Sequence, residues 1–531
     1  MFVVRRSLLP LLLAVQSSGD YSSRLDSRSS MISQEYFDEV CLENAELFDL
    51  HPDEAVAETI AQLQIEDDRE HLTCTFPTAE EGIRERQLSV QLGEALEALA
   101  TGDLEDALSH LQAILTCVTA ENLGRSTHLL LSRNGLETLL EVWKRANTDS
   151  QERDVLMELW LVFLGHDAFV KAFQASLLPL SDWIESLATT TTPNDDDSRQ
   201  ERILSLALRS VRQCEDNKKA WMQQRTKAGL SLPTVLLDLL SQSTLIRRVC
   251  RFVTALCTFD DFRQPSEGPT VASTHDNVQA FHQANAVQRL HDALIQQPHE
   301  ASLVLALRSM AIQDNVIQVM VASGTVTSMR QVLLEACQSK DDAAVDRTMA
   351  SIGFFRNVCA NDSIKVRFCS GDESIVPLVL EAMSRYPAQA QLQEHACGLL
   401  AAMALRQPSN ATTLVHHEAH VWMVRAMQQH PTKATLQRQA ALAIRNLVSR
   451  SPELRPIVLQ QSEVEVTLRR VAASHLSCQD EVYAALRDLG LPVSMVEVHD
   501  DGTGALTVRK TRMFGERNPN FRPDFDESKK E

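Results

Sequence analysis

The chain has 531 residues, 44% hydrophobic and 23% charged, which is enough apolar material for a large core and excludes a chain disordered throughout. With 17 glycines and 5% aromatics it is poor material for β-sandwiches, propellers or glycine-rich nucleotide folds, and it favours helices. The formal net charge of −20, from 51 Lys+Arg against 71 Asp+Glu, has the wrong sign for general binding to phosphate backbones, so nucleic acid is excluded as a main partner.

Residues 1–31 combine Arg5 and Arg6, a short apolar run from Leu8 to Val15 broken by Pro10, and a Ser/Arg stretch. The run is too short to span a bilayer. Three readings are open: translation starting at Met31, which is preferred, an organelle transit peptide, or a secretory signal. The 11 cysteines are odd in number, scattered and without a C-x-x-C pair, and several (Cys250, Cys257, Cys337, Cys359, Cys397) sit in apolar runs. They read as buried free thiols of a reducing compartment, cytoplasmic and also nuclear.

From residue 116 onward the chain repeats. An apolar-Arg-polar-apolar signature recurs at Leu208-Arg209-Ser210-Val211, Leu307-Arg308-Ser309-Met310, Phe355-Arg356-Asn357-Val358, Ile444-Arg445-Asn446-Leu447 and Leu486-Arg487-Asp488-Leu489. Degenerate copies lie around Val162, Ala255 and Ala402, so that successive copies are 47, 46, 53, 48, 46, 43 and 42 residues apart. That is the period of two- or three-helix solenoid repeats. Polar stretches predict loops at 189–200 and 263–280, the second accounting for the long interval. After each signature come a turn, a short helix, a turn and a longer helix, as at Ile364–Cys369 followed by Ser374–Met383. No such unit can bury its own apolar face, so neighbours must stack on a shared core.

Several segments carry a specific resemblance. They are Ala404-Leu405-Arg406-Gln407-Pro408-Ser409-Asn410, Gln429-His430-Pro431-Thr432-Lys433-Ala434, Gln437-Arg438-Gln439-Ala440, Cys478-Gln479-Asp480, Thr258-Phe259-Asp260-Asp261, and Ile32 to Val40 with Pro52-Asp53-Glu54-Ala55-Val56. On these, the chain resembles the armadillo repeat-containing protein six family over about 32–499. The resemblance implies an all-α, right-handed armadillo/HEAT-like α-solenoid superhelix. About eight units are expected over 116–498, with a helical cap at 32–115 and a flexible tail at 499–531.

In armadillo proteins the third helix of each unit lines a concave groove, where a repeated Asn holds the backbone of an extended peptide. Only Asn357 and Asn446 keep that residue, and Ser210, Ser309 and Asp488 replace it elsewhere. The adjacent arginines form a second ladder whose forks suit carboxylates. The expected partner-binding residues are therefore Arg308, Arg356, Asn357, Arg445, Asn446 and Arg487, with an acidic protein or peptide as partner. The alternative for each arginine is packing between units.

His416-His417-Glu418-Ala419-His420 has two histidines at helical spacing but is not H-E-x-x-H, and it falls where a repeat turn is expected. No Walker lysine loop, G-x-G-x-x-G or G-x-S-x-G is present. The expectation is a monomeric, non-catalytic interaction scaffold without cofactor, metal or membrane span. An importin-like cargo adaptor is the first alternative, although no tryptophan stands one helical turn before Asn357 or Asn446, and an enzyme with an unrecognised metal site is the second. If residues 1–30 are translated, organelle or secretory targeting replaces the cytoplasmic assignment.

Overall fold

The computed structural model describes residues 59, 79–102, 104–147, 150–173, 179–189, 196–261, 272–339, 341, 343–460, 463–500 and 506–513. The expectations for 1–31, for the amino-terminal family signature at 32–56 and for the tail beyond Met513 lie outside the described residues. The chain forms two compact units, Met1–Leu178 and Pro179–Glu531.

The first unit comprises α1 (Ala79–Thr101), α2 (Leu104–Cys117), α3 (Leu123–Ser132), α4 (Gly135–Arg145), α5 (Gln151–Phe163) and α6 (Asp167–Ala172). Helix α1 packs on α2, α3 and α4, and α2 packs on α5. An aromatic cluster fills the core: Trp143 and Trp160 have ring centroids 5.2 Å apart, and Phe169 packs on Phe163 and Phe173 at 5.3 and 5.4 Å. Such pairs add about 1 kcal/mol each to the burial of their surface. The boundary expected at 115 is corrected: α2 runs through it to Cys117 and stacks on α5 as one more member of the helix array.

The second unit opens with α7 (Leu180–Ala188) and α8 (Asp196–Ser210) and continues in three-helix repeats. These are α9 (Glu215–Gln223), α10 (Leu232–Asp238) and α11 (Ile246–Leu256); then α12 (Thr274–Gln283), α13 (Ala286–Gln296) and α14 (Ala301–Met310). Next come α15 (Asp314–Ala322), α16 (Thr325–Gln338) and α17 (Ala344–Val358); then α18 (Asp362–Cys369), α19 (Val376–Arg385) and α20 (Ala390–Ala404). The last two are α21 (Pro408–His416), α22 (Ala419–Gln429) and α23 (Ala434–Val448), and α24 (Arg455–Gln460), α25 (Val464–Ser474) and α26 (Gln479–Asp488). Each third helix from α8 to α26 packs on the next, and the second helices from α7 to α25 do the same. This is an armadillo-type helical stack.

The stack is joined at the helix ends, where the last carbonyls have no intrahelical partner. Near the start of the third helix, Gln393 Nε2 donates to the carbonyls of Met383 and Tyr386 at 2.8 and 3.0 Å, and Gln437 Nε2 to those of Met427 and His430 at 2.9 and 2.8 Å. From the first helices, Asn217, Asn277 and Asn410 donate to the terminal carbonyls of the preceding third helices, at Ser210, Leu256 and Met403. All five side chains are buried.

Four sharp turns between first and second helices share one device. The residue just before the second helix is left-handed: Asn134 (φ 54°), Asn285 (φ 63°), Gly324 (φ 79°) and Glu418 (φ 58°). Asn and Gly tolerate this conformation at little cost, and Glu418 adopts it as well.

The Thr258-Phe259-Asp260-Asp261 segment anchors a buried lysine. Lys218 Nζ donates to Glu215 Oε1 at 2.7 Å, Asp260 Oδ1 at 2.5 Å and the Thr258 carbonyl at 2.6 Å. Glu215 Oε2 in turn accepts from the amide and hydroxyl of Ser273 at 2.9 and 2.7 Å, and Asp261 Oδ2 accepts from the Glu215 amide at 2.9 Å. A charge that is taken out of water needs this degree of pairing.

Two loop expectations are shortened. Residues 196–200 of the first loop already belong to α8, and 274–280 of the second belong to α12. Polar and acidic residues at a helix start resemble loop composition while being favoured there by the exposed amides and the helix dipole. The flexible tail expected from 499 is also corrected in part. Strand β1 (Ser494–Asp500) pairs antiparallel with β2 (Leu506–Met513), from Ser494 opposite Met513 to Asp500 opposite Leu506, with an irregularity between Glu497 and Val498.

Candidate functional site

The signature positions Arg209, Ala255, Arg308, Arg356, Ala402, Arg445 and Arg487 all fall in the last turn of the third helices α8 to α26, and Val162 in that of α5. In the second unit this stacking creates a ladder of helix ends. Across α11, α14, α17, α20 and α23 the third helices carry eight arginines against two carboxylates, Asp346 and Glu394. The acidic character of the whole chain is thus reversed within these five helices.

The asparagines of the ladder are bonded within the stack. Asn357 Nδ2 donates to the Arg308 carbonyl at 3.0 Å, and Asn446 Nδ2 to the Ala401 carbonyl at 2.9 Å, each tying a third helix to the end of another. The serines at equivalent places turn back on their own helices: Ser210 Oγ donates to Ala207 and Ser309 Oγ to Ala306, both at 2.8 Å. Arg445 and Arg487 converge on one carboxylate. Arg445 Nε lies 3.1 Å from Asp488 Oδ2, and Arg487 Nε 2.8 Å from Asp488 Oδ1.

Arg308 and Arg356 differ. Among the described residues neither has a carboxylate within ion-pair distance, whereas Arg247, Arg248, Arg347 and Arg438 pair with Glu300, Glu201, Asp341 and Glu481. The two half-buried guanidiniums lie instead on glycines of the following third helix. A Cβ on Gly353 would stand 2.7 Å from Arg308 Cζ, and one on Gly398 would stand 2.7 Å from Arg356 Nε. Arg308 reaches further, past α17, to place Nη1 3.5 Å from His395 Nε2 on α20. His395 is 6% exposed, and its Nδ1 has no hydrogen-bond partner.

The charges of this cluster act on one another. Burial, followed by Arg308 and Arg356, pushes the His395 pKa down to about 4, so the ring is neutral at pH 7. Burial, followed by the charge of Arg356, also lowers the Arg308 pKa. Neutral imidazole can accept from Arg308 at Nε2 with its proton on Nδ1.

The two glycines and His395 escape a reading based on arginine and asparagine alone. Their signal is composition: with 17 glycines in 531 residues, two in the middle of apolar helices mark close approach by another group. At the histidine cluster, His416 and His417 are exposed at the first turn, Glu418 is its left-handed residue, and His420 is buried in α22. No group of three or more His, Cys, Asp or Glu among the described residues is arranged to hold a metal. Among these residues no helix is long and apolar enough to cross a membrane. All nine described cysteines are free, and eight are buried.

Comparison with known proteins agrees with this architecture. A family model described as the Armadillo repeat-containing protein 6 N-terminal domain matches residues 29–68, and one described as LRRK2 ARM repeat matches residues 330–488. The chain is 26% identical over 400 residues to the Armadillo repeat-containing protein 6 of Pongo abelii, covering 72% of this chain and 75% of the relative. It is 26% identical over 399 residues to that of Homo sapiens, with the same coverage. Among solved structures, that of an engineered protein superposes with a TM-score of 0.54 at 16% identity, covering 91% of this chain and 99% of the other, a likeness of fold alone.

Proposed function

The chain belongs to an armadillo repeat-containing protein 6-like family, and from that premise we propose that it is a non-catalytic scaffold holding an acidic segment of a protein partner along the face of third helices α11 to α23. The observation that carries this reading is the pair Arg308 and Arg356, two arginines without carboxylate partners on a face where most others are paired. Guanidinium forks so placed offer bidentate bonds to carboxylates, and the same charge repels a basic cargo segment. Arg445 and Arg487 extend the surface at its carboxyl end. Asn357 and Asn446 serve it by fixing the relative positions of the helices.

The test is capture of partners from lysate by the full chain, quantified by mass spectrometry, with wild type, Arg308→Gln/Arg356→Gln and, on the second helix α22, Arg425→Gln compared. Partners that bind this face are lost from the double variant, retained by Arg425→Gln and displaced from wild type by an oligoglutamate peptide. Unchanged capture by a folded double variant refutes the reading.

A further inference from the structure

We propose that Arg308, Arg356 and His395 form a binding site for a phosphate monoester, the phosphoryl group of a phosphorylated side chain on the partner segment. The inference rests on the α11 to α23 face being the interaction face and names the chemistry recognised there.

His395 and Gly398 are three residues apart on α20, so they lie on one face in adjacent turns. Arg308 comes to the first from two third helices away, and Arg356 lies over the second from the neighbouring helix. Two guanidiniums from different repeats therefore reach positions one turn apart on the same face of α20. Glycine at 353 and 398 is what lets them lie so close to the helices, although glycine is a poorer mid-helix residue than alanine. Buried His395 is the further polar element at this turn, holding Arg308 through Nε2.

Charge selects the ligand. The nearest helical carboxylate in sequence, Glu394, accepts from Thr435 Oγ1 at 2.6 Å. Two guanidiniums held together without a carboxylate call for two negative charges. One carboxylate leaves half of the charge uncompensated, whereas a phosphate monoester carries about −1.5 to −2 at pH 7 and offers three acceptor oxygens to the forks. The chain's net charge of −20 makes this a local site and argues against a general affinity for polyanions.

Titration calorimetry on the full chain, at a constant ionic strength of about 0.15 M, tests the assignment with three probes: N-acetyl-phosphoserine methylamide, N-acetyl-aspartate methylamide and inorganic phosphate. The expected result is phosphoserine amide binding at least about tenfold more tightly than aspartate amide, with Arg356→Gln and Arg308→Gln each weakening it by about tenfold or more and Arg425→Gln leaving it unchanged. Equal affinity for the phosphoserine and aspartate probes, or no effect of Arg356→Gln, overturns the proposal. Inorganic phosphate binding more tightly than phosphoserine amide overturns it as well, because the site would then serve the free ion. Thermal unfolding of each variant verifies folding. Phosphoserine binding that depends on Arg356, with lysate capture unchanged by the double variant, would sink the scaffold reading and leave the anion site. Capture lost without a preference for phosphoserine would do the reverse.

Discussion

Lys218 and Lys365 do the same work in different repeats: each buried ammonium donates to a backbone carbonyl forty residues onward, Lys218 to Thr258 at 2.6 Å and Lys365 to Leu405 at 2.7 Å. Each also pairs with a carboxylate one helical turn earlier, Glu215 and Asp362. The environments differ. Glu215 is fully buried, while the Asp362 side chain is 66% exposed. Removing Lys218 leaves Glu215 buried without its cation, and removing Lys365 leaves Asp362 in water. Lys218→Met is therefore expected to cost about 3–5 kcal/mol in urea unfolding, and Lys365→Met clearly less. Equal losses would refute this account.

His395 supplies a pH dependence of known sign. Its folded pKa of about 4 lies below the ordinary 6.5, so between these values the unfolded chain binds a proton that the folded chain refuses. Its contribution is intact above pH 6.5 and is lost as pH falls toward 4, up to about 3 kcal/mol. The difference between the stability curves of wild type and His395→Gln over this window isolates the effect from the carboxylates. A flat difference would remove the histidine from the charged cluster.

Gly398→Ala separates stability from recognition. Alanine gains about 1 kcal/mol of helix propensity over glycine. The new Cβ must displace Arg356, whose Nε would stand 2.7 Å away, and a flexible side chain moves at small cost. The expected outcome is an unchanged or raised Tm together with a severalfold loss of phosphoserine-amide affinity. A drop in Tm of several degrees would mean that the guanidinium cannot move, making the contact structural.

Asn446→Ala acts on the stack itself. Asn446 is 9% exposed, and its amide satisfies the Ala401 carbonyl. The carbonyl keeps its bond from the Leu405 amide, so the variant loses one buried hydrogen bond, and urea unfolding should show a loss of about 0.5–1.5 kcal/mol. A variant as stable as wild type would show that the amide is free to serve a ligand.

The repeat was legible because an arginine occupies the last turn of five third helices, at Arg209, Arg308, Arg356, Arg445 and Arg487, at positions set by the period of the fold. The helix starts were harder to read. Asp196 and Thr274 open helices within stretches whose polar composition equally describes a loop. The site was half legible. Arg308 and Arg356 follow from the ladder, but His395 is brought to Arg308 only by stacking across 87 residues, a relationship that no local pattern encodes. That Asn357 and Asn446 bond within the stack was equally hidden, since an exposed amide and a cap have the same sequence.

The carboxylate of Glu215 also has a consequence for engineering. It grips the amide and hydroxyl of Ser273, while Asp261 holds the Glu215 amide, so Asp261 and Ser273 are both moored to one residue. Once the ends of a connection are pinned, lengthening it costs only the slowly growing entropy of a longer loop, about 0.6 kcal/mol per doubling. An epitope tag or a reporter domain inserted between Asp261 and Ser273 is thus expected to leave the register of the repeats on either side undisturbed.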